Sequence, residues 1–369
     1  MEQANIVIIG GGVVGCAVAR ALSAQWSDVF VLEALPRIGL GASSRNSGVI
    51  HSGLYYPPGS LKARHCVRGN QLTYEFCAAH GVPHRRTGKL VVASSPSEAE
   101  ELATLKRKGE TNGVEDLKII DPAAIHTREP YVAGLQAIEV PSTGIVGSEE
   151  LVKAYARIAK DQGANIVVHA KVERLEASRD GIRIASTAGE IETRCLVNSA
   201  GLFADELARM LGSPMAAHQI YPVRGEYCEL VRSRQDWIRG LVYPLPHPEG
   251  VSLGVHLTKT IWGSVLVGPT ARYLDDKNNY ERDREPVDEF ARSAKLLLPE
   301  LEPSDLLAAY SGIRAKLTAP GDKRVADFII QRDPQFPCVV QLIGIESPGL
   351  TSAPSIAEHV RELVDEILS

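Results

Sequence analysis

Residues 5–15 read NIVIIGGGVVG, followed by CAVARALSAQ (16–25) and DVFVLE (28–33). An apolar run, a glycine turn, a stretch with helical apolar spacing and a second apolar run make a strand, turn, helix and strand, the start of a parallel βαβ fold. Within it Gly10-Gly11-Gly12-Val13-Val14-Gly15 fits G-x-G-x-x-G in the context that motif requires. Gly10 permits the tight turn, Gly12 lets the backbone approach a pyrophosphate, and Gly15 lets the helix pack closely on the strand. The helix that starts here points free N–H groups and the positive end of its dipole at the phosphates. Glu33 ends the second strand near the offset at which a carboxylate accepts hydrogen bonds from ribose hydroxyls, and its charge disfavours a 2′-phosphate.

Working outward, three further segments favour the longer FAD over a nicotinamide cofactor. A polar loop, Ser43, Ser44, Arg45, Asn46, Ser47 and Gly48, offers backbone and hydroxyl contacts. A second glycine turn, Asn198-Ser199-Ala200-Gly201, follows another apolar strand. Ser347-Pro348-Gly349-Leu350-Thr351 opens the last helix, whose N-terminus suits the anionic charge of a reduced flavin ring. No cysteine or histidine sits in a recognisable attachment motif, so the FAD is expected to be held without a covalent bond.

The remaining chain reads as a nucleotide domain interrupted twice. A helix is expected from Leu61 to His80, ended by Gly81. From about residue 86 the character changes: a strand-like KLVVAS, a charged helix around Ser97 to Gly109, then short segments broken by Pro122, Pro130 and Pro141. Ser148 is expected to cap the helix EELVKAYARIAKDQ, closed by Gly163, with the strands NIVVH and KVERLEA after it. EIETRCLVNSAGLFADELARML again reads strand, glycine turn, helix. From 216 to 305 β-like pieces dominate, with a hairpin predicted in VSLGVHLTKTIWGSVLVG and a helix near Val287 to Leu298; SIAEHVRELVDEIL ends the chain as a helix. The expected architecture is α/β: a Rossmann-like FAD-binding domain (1–85, 146–215 and 306–369) interrupted by a mixed, mainly antiparallel α+β substrate domain (86–145 and 216–305).

Composition excludes some functions. With 40 Lys+Arg against 45 Asp+Glu the net charge is −5, which repels a polyanion, so no nucleic-acid partner is expected. The six cysteines, Cys16, Cys66, Cys77, Cys195, Cys228 and Cys338, show no C-x-x-C pair and read as buried free thiols of a reducing compartment. No apolar run approaches a membrane span of about 20 residues, and the strand at residues 5–9 leaves no room for a signal peptide. The expected location is the cytoplasm, with peripheral attachment to a membrane surface left open.

The block SSRNSGVIHSGLYYPPGSLKARHCVRGNQLTYEFCAAHGV (43–82), with GKLVVA (88–93), PSTGIV (141–146), YPVRGEYCEL (221–230), LGVHLT (253–258) and GIRAKL (312–317), resembles the glycine oxidase/D-amino-acid oxidase superfamily of FAD enzymes. Within it the blocks look like the L-2-hydroxyglutarate oxidase/dehydrogenase group, over nearly the full length. The segment IGIESPGLTSAPS (343–355) departs from the group's usual Ala-Pro-Ser-Pro-Ala-Ala-Thr-Ser. The resemblance implies oxidation of a small 2-hydroxy acid, with L-2-hydroxyglutarate the leading candidate. It extends the cofactor-binding set of Gly10, Gly12, Val14, Gly15, Glu33, residues 43–48, Ala200, Gly201, Gly349, Leu350 and Thr351 to Val172.

Such a reaction needs hydride transfer from C2 to flavin N5, a base for the hydroxyl proton and cations for the carboxylate. Arg314 resembles the superfamily's carboxylate-binding arginine, and a planar guanidinium suits that bidentate contact. Lys316 shares its face if the segment is extended, a candidate for a second carboxylate. His256, on the predicted hairpin with Gly254 and Thr258, is the expected base. His51 follows the polar loop that the family places beside the flavin, so it is the alternative base and the expected flavin-orienting residue. Tyr55, Tyr56 and Tyr243 are candidates for substrate contact. The electron acceptor stays open among oxygen, a quinone and a carrier protein. Two rival readings also stay open: an amine oxidase on the same fold, and a flavin-binding protein without turnover.

Overall fold

The computed structural model describes residues 2–246, 254–322 and 324–369. Two large sheets organise it, and the first grows from the glycine motif. Its central strand, Glu2–Ile9, pairs in parallel with Gly189–Asn198 on one side and Val29–Leu32 on the other, setting Ile6 opposite Cys195 and Ile8 opposite Val31. The apolar run has no polar alternation because both faces are covered. Ile6 and Ile8 pack under the helices Val13–Ser23, Ser148–Asp161 and Gly349–Leu368, whereas Val7 and Ile9 enter a second core with Val172, Leu175, Ile184 and Leu207. Asn165–Val167 extends the sheet beside Val29–Leu32, and Val339–Ile343 lies beside the end of Gly189–Asn198. This is the doubly wound nucleotide fold that the opening motif predicts.

Local signals explain the helix ends. The Ser60 hydroxyl accepts the Ala63 N–H at the start of Leu61–His80, and Gly81, at φ +67°, ends that helix in the left-handed conformation open to glycine. Ser148 departs from expectation. Gly147 occupies the cap position of Ser148–Asp161, and the Ser148 hydroxyl instead donates to Asn46 Oδ1 at 2.8 Å. Glu149 and Glu150 in the first turn complement the helix dipole in its place.

The second sheet is mainly antiparallel. Its path runs from Arg272–Tyr273 through Tyr221–Leu230, Val265–Gly268, His256–Lys259, Leu241–Pro244 and Lys89–Ala93 to Gln136–Val140 and Lys118–Ile120. The predicted hairpin forms between His256–Lys259 and Val265–Gly268, with His256 opposite Gly268; Val251, Ser252 and Leu253 of that prediction lie outside the described residues. Leu306–Lys316, which the sequence limits assign to the nucleotide domain, belongs to this second sheet. It lies antiparallel along Tyr221–Leu230, from Tyr221 opposite Lys316 to Leu230 opposite Leu306. Two strands of ten and eleven residues find their longest partner in each other, a pairing that sequence limits cannot reveal. A small sheet of Val49–Ile50, Gly144–Val146 and His84–Arg85 joins the two parts.

No helix among the described residues is long and apolar enough to cross a membrane. All six cysteines are free and five are buried; burial pushes the Cys16 thiol up to about 12, so it is inert.

Candidate active site

The glycine motif is shaped by contacts that exclude a side chain. A Cβ on Gly10, which sits at φ +106°, would lie 2.5 Å from the Ser199 carbonyl oxygen, and one on Gly15 would lie 1.9 Å from the Gly10 carbonyl oxygen. The first helix therefore packs directly against the turn. A Cβ on Gly12 would meet only the Ser43 hydroxyl, so the backbone here stays open to a ligand. That hydroxyl accepts the Val13 N–H at 2.9 Å. Val14 is partly buried and packs its side chain against the core. The second glycine turn is laid onto the first: Ser199 Oγ donates to the Ile9 carbonyl, and Gly201 follows at φ +56° after Ala200. Glu33 is 9% exposed, and its two oxygens accept the Gly11 N–H at 2.7 Å and the Leu35 N–H at 2.8 Å. Val172 is buried in the core beneath Leu32, which leaves its side chain no free face for a ligand.

The polar loop holds itself in shape. Ser44 bonds back to the Gly41 carbonyl, Asn46 Nδ2 donates to the Ser43 carbonyl, and the Gly48 N–H donates to Asn46 Oδ1. Ser47 faces the Tyr227 phenol. The Arg45 side chain turns away from the motif: it stacks on Tyr280 at 4.4 Å and donates to the Ser311 carbonyl. The Arg45 carbonyl also lies against Gly312, where a Cβ would come within 2.1 Å of its oxygen. Thr351, in the first turn of the terminal helix behind Gly349 and Leu350, accepts the His51 N–H at 2.9 Å and donates to the Val49 carbonyl at 3.2 Å. The polar loop, His51 and the helix N-terminus are thus fixed to one another. Side-chain-free turns beside open backbone donors fit a dinucleotide with a flavin end.

Beyond this cradle the second sheet delivers the titratable groups. His256 is 4% exposed and stacks on Tyr243 with ring centres 3.8 Å apart. Its Nδ1 lies 2.8 Å from the Gly254 carbonyl; a carbonyl can only accept, so Nδ1 carries the proton and Nε2 keeps its lone pair. Burial brings its pKa to about 3, with Arg314 and Lys89 adding to the depression against the Gly254 hydrogen bond. His51 is also held well below the usual imidazole range, by burial and then by Lys89, His256 and Arg314. Its Nε2 is 3.4 Å from the Ser347 hydroxyl, and its Nδ1 is buried without a hydrogen-bond partner. The Tyr55 hydroxyl is likewise buried and unpartnered. Burial raises the Tyr55, Tyr56 and Tyr243 phenols, so all three stay protonated.

Arg314 extends from Leu306–Lys316 opposite Val223, and no carboxylate among the described residues pairs with it at salt-bridge distance. Lys316, two residues on, is coupled both to Arg314 and to a carboxylate, Glu346. Burial lowers its pKa while Glu346 raises it, and Glu346 is bonded to Lys62 at 2.9 Å in a pair whose side chains are 12% and 7% exposed. Burial alone would raise the Glu346 carboxyl, but Lys62, Lys316 and Arg314 together hold it below its usual range. The arrangement brings His51, His256, Arg314, Tyr55 and Tyr243 into one site and sets Lys316 beside the Lys62–Glu346 pair. Sequence reasoning missed Lys89, Lys62 and Glu346. For Lys89 a signal was available: an ammonium heads the apolar run KLVVA, whose every residue is buried.

The comparisons with known proteins bear on the family and the fold. The chain is 34% identical to the mitochondrial L-2-hydroxyglutarate dehydrogenase of Arabidopsis thaliana, over 97% of this chain and 83% of that protein. It is 34% identical to the L-2-hydroxyglutarate dehydrogenase of an Escherichia coli strain, over 99% and 94%. Among solved structures, the L-alpha-glycerophosphate oxidase of Mycoplasma pneumoniae with FAD bound superposes with a TM-score of 0.90 at 26% identity, covering 99% of this chain and 95% of that one. The family model for FAD dependent oxidoreductases, DAO, matches residues 5–363, and with it the chain belongs to the DAO family of FAD-dependent oxidoreductases.

Proposed function

We propose that the chain oxidises L-2-hydroxyglutarate, or a close 2-hydroxy acid, to the 2-oxo acid, with His256 as base and Arg314 as carboxylate anchor. The observation that carries this reading is a neutral imidazole, protonated on Nδ1, coupled to a guanidinium that no carboxylate among the described residues meets at salt-bridge distance. The relatives named L-2-hydroxyglutarate dehydrogenase support the substrate.

FAD supplies the acceptor for the hydride that leaves C2. Gly10, Gly12, Gly15, the Val14 backbone and the turn at Ala200 and Gly201 would hold its dinucleotide part, and residues 43–48 with Gly349–Thr351 would border the flavin. Glu33 would reach ribose hydroxyls with the lone pairs left after its two backbone contacts. Everything else falls to side chains. Arg314 fixes the 1-carboxylate in a bidentate grip and so sets which C2 hydrogen faces the acceptor. His256 Nε2 then takes the hydroxyl proton, since an alcohol yields a carbonyl only as that proton leaves. Arg314 adds to the depression of the imidazole pKa while no anion is bound; the 1-carboxylate on Arg314 offsets that charge and makes His256 a stronger base when substrate is present. Burial removes water that would compete for the proton.

Anaerobic flavin bleaching tests the proposal. L-2-hydroxyglutarate should bleach the holoenzyme and the D-enantiomer should not; faster bleaching by glycine or another amine would establish amine oxidation instead. Acid precipitation should release the FAD into the supernatant, and flavin retained in the pellet would show a covalent bond.

A further inference from the structure

Lys89 opens the strand Lys89–Ala93, between Leu241–Pro244 and Gln136–Val140 in the second sheet. It is 2% exposed. A buried ammonium is normally answered by a carboxylate, as Lys62 is by Glu346 at 2.9 Å and Lys277 by Asp205 at 2.7 Å. Lys89 has no such partner among the described residues. Its charge lies over two aromatic faces, 4.4 Å from the Tyr55 ring centre and 4.8 Å from that of Tyr243. Aromatic faces attract a cation without neutralising it. The Tyr55 hydroxyl beside it is buried without a hydrogen-bond partner, and so is His51 Nδ1.

The two cations act on the same pair of imidazoles. Lys89 and Arg314 each depress both His51 and His256, so an ammonium on one strand and a guanidinium on another converge on one place. A 2-hydroxy monocarboxylate needs only Arg314. The second cation therefore calls for a second anionic group on the same ligand. Lys316, the candidate that spacing suggests, is answered by Glu346, whereas Lys89 is not. Resting on the proposed 2-hydroxy acid oxidation, we propose that Lys89 receives the distal carboxylate of a 2-hydroxy dicarboxylate and thereby selects diacids over monoacids of equal chain length. Tyr55 and Tyr243 hold the ammonium in place, and the Tyr55 hydroxyl is a donor for the same carboxylate.

Protonation gives the selector a second signature. Burial lowers Lys89 to about 7, against a small upward pull from Cys66 on the helix Leu61–His80. The other groups facing the cluster are the phenols of Tyr55 and Tyr243, the neutral imidazoles of His51 and His256, and the fixed charge of Arg314. A bound diacid would restore full charge to Lys89, so binding near pH 7.5 takes up a proton.

The test compares wild type, Lys89→Met and Lys89→Arg as holoenzymes of verified FAD content, bleached anaerobically by L-2-hydroxyglutarate and by L-2-hydroxyvalerate, its five-carbon monoacid counterpart. Lys89→Met should lower kcat/KM for the diacid about 10²-fold, chiefly through KM, because one charge-assisted contact is lost. The monoacid should change less than about threefold, and Lys89→Arg should recover part of the diacid preference. Equal losses with both acids, or an unchanged diacid KM, would overturn the assignment of Lys89 and leave the hydroxy-acid reading standing. A wild-type flavin bleached by neither acid would overturn both.

Discussion

The glycine cradle and the cation-lined pocket solve opposite problems. In the cradle, side chains are excluded: Gly10 and Gly15 are pressed against carbonyl oxygens, which leaves backbone groups of consecutive residues as the proposed contacts. In the proposed substrate site, side chains would do the recognition. They arrive from His51, Lys89, Tyr243, His256 and Arg314, which lie on separate segments spread over more than half of the chain. The cradle is a local object that a short sequence can encode. The pocket exists only once the second sheet has paired.

That contrast can be broken by single substitutions, and the largest effect is expected at the base. His256→Ala should slow flavin reduction about 10²–10⁴-fold while FAD stays bound, because the cradle does not contain it. His51→Ala should cost less if the assignment holds, and stopped-flow bleaching of both variants decides between them. Flavin reduction within a few-fold of wild type in both would remove the histidines from the proton step. The pH profile sharpens this. With His256 at about 3 in the free enzyme, it remains unprotonated down to that range, so kcat/KM should show no acidic limb from His256 above about pH 5.

Arg314→Met comes next. Each charge-assisted hydrogen bond is worth about 1.5–3 kcal/mol, so loss of a bidentate pair should cut kcat/KM for the hydroxy acid by about 10² or more. Unchanged steady-state constants would exclude Arg314 from the carboxylate site. Gly15→Ala is the smallest expected change and reports on the other region. A methyl group 1.9 Å from the Gly10 oxygen forces helix and turn apart, at a cost of about 1–3 kcal/mol. It should appear as a lower melting temperature and weaker FAD retention, with the selectivity between acids unaltered once FAD is saturating.

How much of this was legible follows from the same contrast. NIVIIGGGVVG could be read because its turn, its helix and the strand ending at Glu33 are consecutive in sequence, and the terminal helix because its apolar positions recur within one element. The hairpin carrying His256 was legible for the same reason. Leu306–Lys316 was placed in the wrong part because its partner, Tyr221–Leu230, lies about eighty residues away, and a register between distant strands leaves no local trace. Lys316 and Lys89 could not be ranked from sequence either. Lysines acquire different roles from what they are buried beside, Glu346 in one case and two tyrosine rings in the other. Ser148 was misread because a serine before an acidic helix start fits a cap whether or not a better acceptor, here Asn46, is within reach.

The contact of Gly312 with the Arg45 carbonyl seats the long strand of the second sheet directly on the polar loop. Arg314 stands two residues beyond Gly312 on the same strand, and Asn46 adjoins Arg45, with its own carbonyl accepting the Tyr310 hydroxyl at 2.8 Å. A side chain at 312 would act as a wedge, lifting Arg314 away from the polar loop. In the proposed site the distance from Arg314 to the polar loop is therefore set at a bare backbone contact, where only a glycine fits.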